Sequence, residues 1–154
     1  MQRKEHSEEI PLCDVSNCRV GIVVARFNHE VTDKLLETAL EELEKRGARK
    51  DYIEVVRVAG CVEIPLALQI LGGEKKYDAL VAFGVIIRGE TPHFDYVAKI
   101  VSEGILRVSL DKNIPIGFGI LTTHTEEQAI ARIGTARHAV AAPLELVCLK
   151  RSDR

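Results

Sequence analysis

Phe83-Gly84-Val85-Ile86-Ile87-Arg88-Gly89-Glu90-Thr91-Pro92-His93-Phe94-Asp95-Tyr96 runs from a buried strand through a polar turn into a helix. The apolar run has no polar alternation, so it predicts a strand covered on both faces. Thr91 is a candidate N-cap and Pro92 fits the first helical position, where a missing N–H costs nothing. His93 and Asp95 then fall in the first turn of the helix. Unpaired backbone N–H groups and the positive end of the helix dipole converge there, which suits an anion, and His93 beside it is a candidate base. A well-capped helix that happens to carry a surface histidine is the plainer account of the same residues.

The stretch also approaches a nucleotide-binding loop. Gly84 and Gly89 have the G-x-x-x-x-G spacing, with Thr91 in the Ser/Thr place. Glu90 stands where that loop needs its lysine, and a carboxylate there repels the β- and γ-phosphates. This excludes ATP and leaves room for a single phosphate held by backbone donors.

Outward from this stretch, strand and helix alternate. Arg19 to Ala25 is a continuous aliphatic run and reads as the first strand. A turn at Arg26-Phe27-Asn28 opens a helix to about Arg46, with Leu35, Leu36, Ala39, Leu40 and Leu43 on one face and Gly47 as its stop. Ile53 to Val58 is the second strand, and Pro65 begins a short helix that Gly72-Gly73 ends. Ala79 to Ile87 is the third strand. The helix after it buries Phe94, Val97, Ala98, Val101, Ile105 and Val108 at helical spacing. Ile116 to Leu121 is the fourth strand. Thr125-Glu126-Glu127-Gln128 has the form of a capping box for a helix carrying Arg132, broken at Gly134. A last helix reaches about Lys150, with Pro143 at its start or at a kink.

This order predicts an α/β chain with a four-stranded parallel sheet between helical layers, a flavodoxin-like three-layer sandwich. Residues 1–18 read as a tail and 19–154 as one domain. Ligands of such sheets bind beyond the carboxyl ends of the strands. The turns holding Phe27, Glu63 and Arg88 to His93 therefore share one rim. Phe27 can equally be core filler, and a carboxylate such as Glu63 near a helix start is often only a favourable dipole contact.

Composition narrows the function. The chain has 154 residues, enough for a substantial core in one domain, and 46% are hydrophobic. Only 5% are aromatic and none is Trp, so that core is aliphatic. A net charge of −2 without a basic stripe argues against nucleic acid. No apolar run is long enough to span a membrane, and Met1 to Glu9 lacks a signal peptide's apolar centre. The cysteines Cys13, Cys18, Cys61 and Cys148 form no C-x-x-C pair and show no zinc-ligand spacing. Cys13 and Cys18 could pair only if the turn between them permits. A reduced, cytoplasmic chain is the expectation.

From Arg19 to Thr135 the sequence resembles the lumazine synthase family. Ala25-Arg26-Phe27-Asn28, Gly60-Cys61-Val62-Glu63-Ile64-Pro65, Ile87 to Val97, Phe118-Gly119-Ile120-Leu121-Thr122-Thr123 and Glu127 to Arg132 carry the likeness. It implies the same fold and a transferase of riboflavin biosynthesis that needs neither cofactor nor metal. In that reaction a ribitylamino-uracil diamine condenses with a dihydroxybutanone phosphate. By this resemblance Phe27 stacks on the pyrimidine, while Cys61, Val62 and Glu63 line the ribityl chain. Val85, Ile86 and Ile87 offer backbone groups to the uracil edge. Glu90 and Thr91, with Arg132, hold the phosphate, and His93 shuttles protons. Phe118 closes the pocket of a neighbouring subunit, so the site requires a homo-oligomer. A pentamer, a pair of pentamers and a closed icosahedral shell all satisfy it.

Two departures stand out. Cys61 replaces the family's usual alanine and is expected to tighten the pocket. The segment Ala136 to Leu149 is shorter than the family's and lacks its lysine, leaving Arg137 as the available cation. A non-catalytic shell or scaffold protein of the same fold is the alternative, and apolar Val140, Leu144, Leu146, Val147 and Leu149 would suit its interfaces. The retained Phe27, Glu63, Thr91, His93, Phe118 and Arg132 favour the enzyme, since a scaffold has no use for them. A response-regulator-like domain fails because no phosphoacceptor Asp follows the third strand.

Overall fold

A computed structural model describes residues 12–152. Its elements, in chain order, are β1 (Val20–Ala25), α1 (His29–Lys45), β2 (Ile53–Val58), α2 (Ile64–Gly73), β3 (Ala79–Ile87), α3 (His93–Asp111), β4 (Ile116–Thr123), α4 (Glu126–Ile130) and α5 (Ala136–Arg151). Short 3-10 turns precede β2, α2 and α5. All four strands are parallel in the order β2-β1-β3-β4.

Every residue of β1 is buried, and eight of the nine in β3 are buried, because the sheet is covered on both sides. Side chains alternate between two cores. Val20, Ile22, Val24, Val81, Phe83 and Val85 pack beneath α1 and α5. Val23, Ala25, Leu80, Ala82 and Ile86 pack beneath α2 and α3. This explains the unbroken apolar runs of β1 and β3: neither central strand has a wet face, so neither has a polar period, whereas the edge strands β2 and β4 carry exposed residues. The α/β sandwich expected from the sequence is the observed fold.

Helix α1 turns Val31, Leu35, Leu36, Ala39 and Leu43 inward, but Leu40 stays partly exposed at the margin of the stripe. Gly47, at φ 90°, ends the helix in the left-handed region that glycine enters without steric cost. In α3 the buried face is Val101, Ile105 and Val108. Phe94, Val97 and Ala98 pack only partly, because the first turns overhang the rim.

Helix α5 runs through Pro143 without stopping. A proline has no N–H for the carbonyl of Ala139, four residues back. That carbonyl is directed at Gly117 of β4, where an added Cβ would lie 1.8 Å from the oxygen. Helix and sheet approach this closely because both residues lack something: Pro143 a donor, Gly117 a side chain. Within the segment read as interfacial, Val140, Leu144 and Val147 belong to the core, whereas Leu146 and Leu149 face outward.

Two expectations are corrected near the N-terminus. Of the supposed tail, residues 12–18 are packed onto the domain, with Val15 and Cys18 in the core beneath α1 and α5. Residues 1–11, including the stretch tested for a signal peptide, lie outside the described part of the chain. The cysteines are not all reduced, since Cys13 is bonded to Cys148 of α5. Their separation of 135 residues hid the pair, because only the packing of the N-terminal segment along α5 makes them neighbours. Cys18 and Cys61 are free and buried. Among the described residues no helix is long and apolar enough to cross a membrane.

Candidate active site at the carboxyl rim of the sheet

The order β2-β1-β3-β4 places a topological switch point between β1 and β3, where the connections depart in opposite directions and a crevice opens beyond the strand ends. Pairing between β1 and β3 ends at Val24 with Phe83. Past that point β1 stays with β2: Arg26 N–H donates to Val58 O (2.8 Å) and Phe27 N–H to Ala59 O (3.0 Å). Strand β3 stays with β4 as far as Ile87 opposite Thr123.

Phe27 stands on the β1 side of this crevice with 72% of its surface exposed, which rules out the core-filler account. A cavity of about 370 Å³ surrounds it, lined by Arg26 to Val31 and Glu126. A larger cavity, about 650 Å³, lies along α1 and the outer edge of β2, among Asp33, Leu36, Leu40, Ile53 and Val55. It lies towards the amino end of β2, away from the carboxyl rim, and none of the site candidates lines it.

Asn28 follows Phe27 in the left-handed region (φ 61°, ψ 39°), a conformation that asparagine tolerates better than most residues. Its side-chain Nδ2 donates to Val85 O on β3 at 3.0 Å. The sequence marked Asn28 as a turn residue within the stretch that carries the family resemblance, and gave it no role in the site. Its position at a strand-to-helix corner was the available signal.

On the β2 side, Cys61, Val62 and Glu63 form a 3-10 turn ahead of α2. Val62 and Glu63 are exposed on the rim. Cys61 is not: it is 7% exposed, and its Sγ lies 3.9 Å from Val85 O. A Cβ on Gly84 would come within 2.5 Å of that sulfur, so the absence of a side chain at Gly84 is what admits it. The thiol thus fills core volume rather than rim volume. Burial pushes it up from 9.0 to about 11, with a backbone hydrogen bond at Val85 opposing the rise and the Glu63 carboxylate adding to it.

This shift carries a pH dependence. A thiol held protonated in the fold stabilises it fully below pH 9, and the contribution disappears as pH rises from 9 towards 11. Two pH units correspond to about 3 kcal/mol at most. Urea midpoints measured at pH 8 and pH 10.5 should therefore fall less in Cys61→Ala than in the parent protein. An equal fall in both would assign the alkaline loss elsewhere.

Val85 (2% exposed) and Ile86 are buried and Ile87 is half-buried, so only backbone groups of this strand end can meet a ligand. The Val85 carbonyl already accepts from Asn28 and lies beside the Cys61 thiol. Beyond it, Arg88 N–H donates to Thr123 O (2.8 Å). The Arg88 guanidinium lies 4.5 Å over the Phe94 ring and donates to Asp95 (2.9 Å). Glu90, Thr91 and His93 are exposed. The Thr91 Oγ1 accepts from His93 N–H at 3.4 Å, but α3 starts one residue later than expected: Pro92, not Thr91, is its N-cap, and it carries no side-chain capping bond.

At the end of β4, Thr125 Oγ1 accepts from Gln128 N–H, while the Gln128 carboxamide oxygen accepts from His124 N–H. Helix α4 ends at Ile130, so Arg132 sits in the turn after it rather than on a helix. Its Nη1 donates to Gln128 O (2.8 Å) and the side chain is exposed. Arg137 is exposed in the first turn of α5, close to Gly134.

Phe118 stands apart. It pairs with Ala82 in mid-strand, whereas Thr123 at the strand's end pairs with Ile87. At about 3.3 Å per residue it lies about 17 Å below the rim of its own chain. It is 51% exposed on the edge strand.

The family model of 6,7-dimethyl-8-ribityllumazine synthase matches residues 17–151. The chain belongs to that family. The match takes in every residue placed above, from Phe27 on β1's corner to Arg137 on α5. It begins just before β1 and ends with α5, so the disulfide partner Cys148 lies inside it and Cys13 precedes it. Family membership fits the sandwich and its strand order.

Proposed function

We propose that this protein is a working 6,7-dimethyl-8-ribityllumazine synthase. The observation that carries the reading is that one rim combines an exposed aromatic, a carboxylate, a helix N-terminus and a histidine within a chain of that family. The substrates are 5-amino-6-(ribitylamino)uracil and 3,4-dihydroxy-2-butanone 4-phosphate. The products are the lumazine, inorganic phosphate and two molecules of water.

Each group has chemistry to do. Phe27 supplies a flat apolar face for the pyrimidine. Glu63 accepts hydrogen bonds from ribityl hydroxyls. The amine attacks the ketone and water leaves as the imine forms. Phosphate then departs, and the second amine closes the ring with loss of another water. His93 carries protons through these steps, in a range where imidazole works both as acid and as base. The leaving phosphate is stabilised by N–H groups at the start of α3, by Thr91 and by the guanidinium of Arg132. Much of the remaining acceleration comes from holding two substrates together.

Assembly belongs to the same reading. Tyr96, Ile100, Leu106 and Leu110 of α3 are exposed, as is Phe118 on the same side of the sheet. A monomer would leave this surface in water. In a ring, Phe118 closes the pocket of the next subunit, which accounts for its distance from its own rim.

The direct test is a steady-state assay of lumazine formation from the two substrates on a size-fractionated sample. Turnover in the assembled fraction is expected. Assembly without turnover would move the protein to the scaffold reading. Within the active enzyme, Arg132→Ala should raise KM for the butanone phosphate by about ten-fold and leave KM for the diamine near its original value. An unchanged KM would take the phosphate away from Arg132.

A further inference from the structure

The crevice at the switch point has two independent walls. The β1 wall ends in the Phe27 turn and is bonded to β2. The β3 wall ends at Val85 to Ile87 and is bonded to β4. With β1–β3 pairing finished at Val24 and Phe83, the backbone ladder no longer fixes the distance between the walls. A single conventional hydrogen bond joins the Phe27 turn to Val85, from Asn28 Nδ2 to Val85 O at 3.0 Å. The Cys61 thiol reaches the same carbonyl only at 3.9 Å.

Asn28 makes this span instead of a more local contact. It occupies the N-cap position of α1, where asparagine normally accepts from the helix N–H groups, yet its side chain makes no capping bond. The first turn is secured otherwise, with Thr32 Oγ1 donating to Ala25 O at 2.8 Å. The residue must also tolerate φ 61°. Glycine tolerates that angle and has no donor. Aspartate tolerates it, but its carboxylate cannot donate to a carbonyl. Asparagine meets both demands.

We propose that Asn28 is a positioning residue that sets the gap between the Phe27 ring and the Val85–Ile87 strand end, and so selects a flat heterocycle for that slot. The proposal rests on the reading of this rim as the diamine site. Asn28 acts through the wall it ties, and its loss widens the slot for the diamine while leaving the phosphate end, at α3 and Arg132, untouched.

The test compares the parent protein with Asn28→Gly, which keeps the backbone angle, and Asn28→Asp, which keeps the side-chain shape. Both KM values, kcat and Tm are measured, together with equilibrium binding of the diamine alone by titration calorimetry. In both variants KM and Kd for the diamine should rise about ten-fold, the size expected for one lost hydrogen bond. KM for the butanone phosphate should stay within about two-fold, with Tm close to the parent's. A rise in both KM values together with a fall in Tm would reduce Asn28 to a structural role, and unchanged constants would remove it altogether. A parent protein that binds the diamine without turnover would overturn the proposed function but still test Asn28 through Kd. If the parent does not bind the diamine, both fall.

Discussion

His93→Ala lowers kcat by about 10²–10⁴-fold and leaves the particle size and Tm as they were. The magnitude is that of a positioned general acid–base in reactions of this type. Stability is spared for a local reason. His93 is exposed at the first position of α3, and its backbone N–H, not its ring, donates to Thr91 Oγ1. Alanine keeps that bond, favours the helix and leaves no cavity. Size-exclusion chromatography alongside the steady-state assay checks both halves. If turnover survives unchanged, His93 leaves the mechanism. If the particle dissociates, loss of turnover says nothing about proton transfer, and His93→Gln becomes the informative variant.

The second large effect concerns the bond between Cys13 and Cys148. Opening it by reduction, or by Cys148→Ser, should cost about 2–5 kcal/mol, since closing a loop this long removes much chain entropy from the unfolded state. For a domain of this size that is a fall in Tm of about 10 °C. The bond fastens a segment that is also part of the core. Val15 and Cys18 pack beneath α1 and α5, and Arg151 Nη1 donates to Asp14 O and to Asn17 Oδ1, both at 3.1 Å. Calorimetry with and without reductant should show the fall in the parent protein, and Cys148→Ser should not respond to reductant. A thiol count on denatured protein gives an independent reading: two without reductant and four with it. Four thiols in the absence of reductant would mean that the bridge does not form.

These two results depend on features of different visibility. His93 lies in a stretch whose strand, turn and helix start are all local patterns, and the fold places it where those patterns lead. The Cys13–Cys148 bond is invisible to any local pattern. The rim divides in the same manner. Phe27, Glu63 and Thr91 to His93 each follow or open an element, so alternation of strand and helix was enough to bring their turns to one edge. Asn28 gained its partner only through the sheet, because Val85 is 57 residues away. Cys61 was expected to narrow the pocket, yet the space left by Gly84 drew its sulfur inward. Arg132 stands in a turn because α4 is only five residues long, which a capping box at its start could not foretell.

By itself, the amino-acid sequence determined the kind and order of the elements. The limits read for the second and third strands, Ile53 to Val58 and Ala79 to Ile87, are those of the structure. Apolar period, caps and breakers act over a few residues and can be read there. Tertiary structure decided which side chains meet: the bond from Cys13 to Cys148, the span from Asn28 to Val85, and the distance of Phe118 from its own rim. Those depend on strand order and register, which are set by how two helical layers bury the two faces of one sheet.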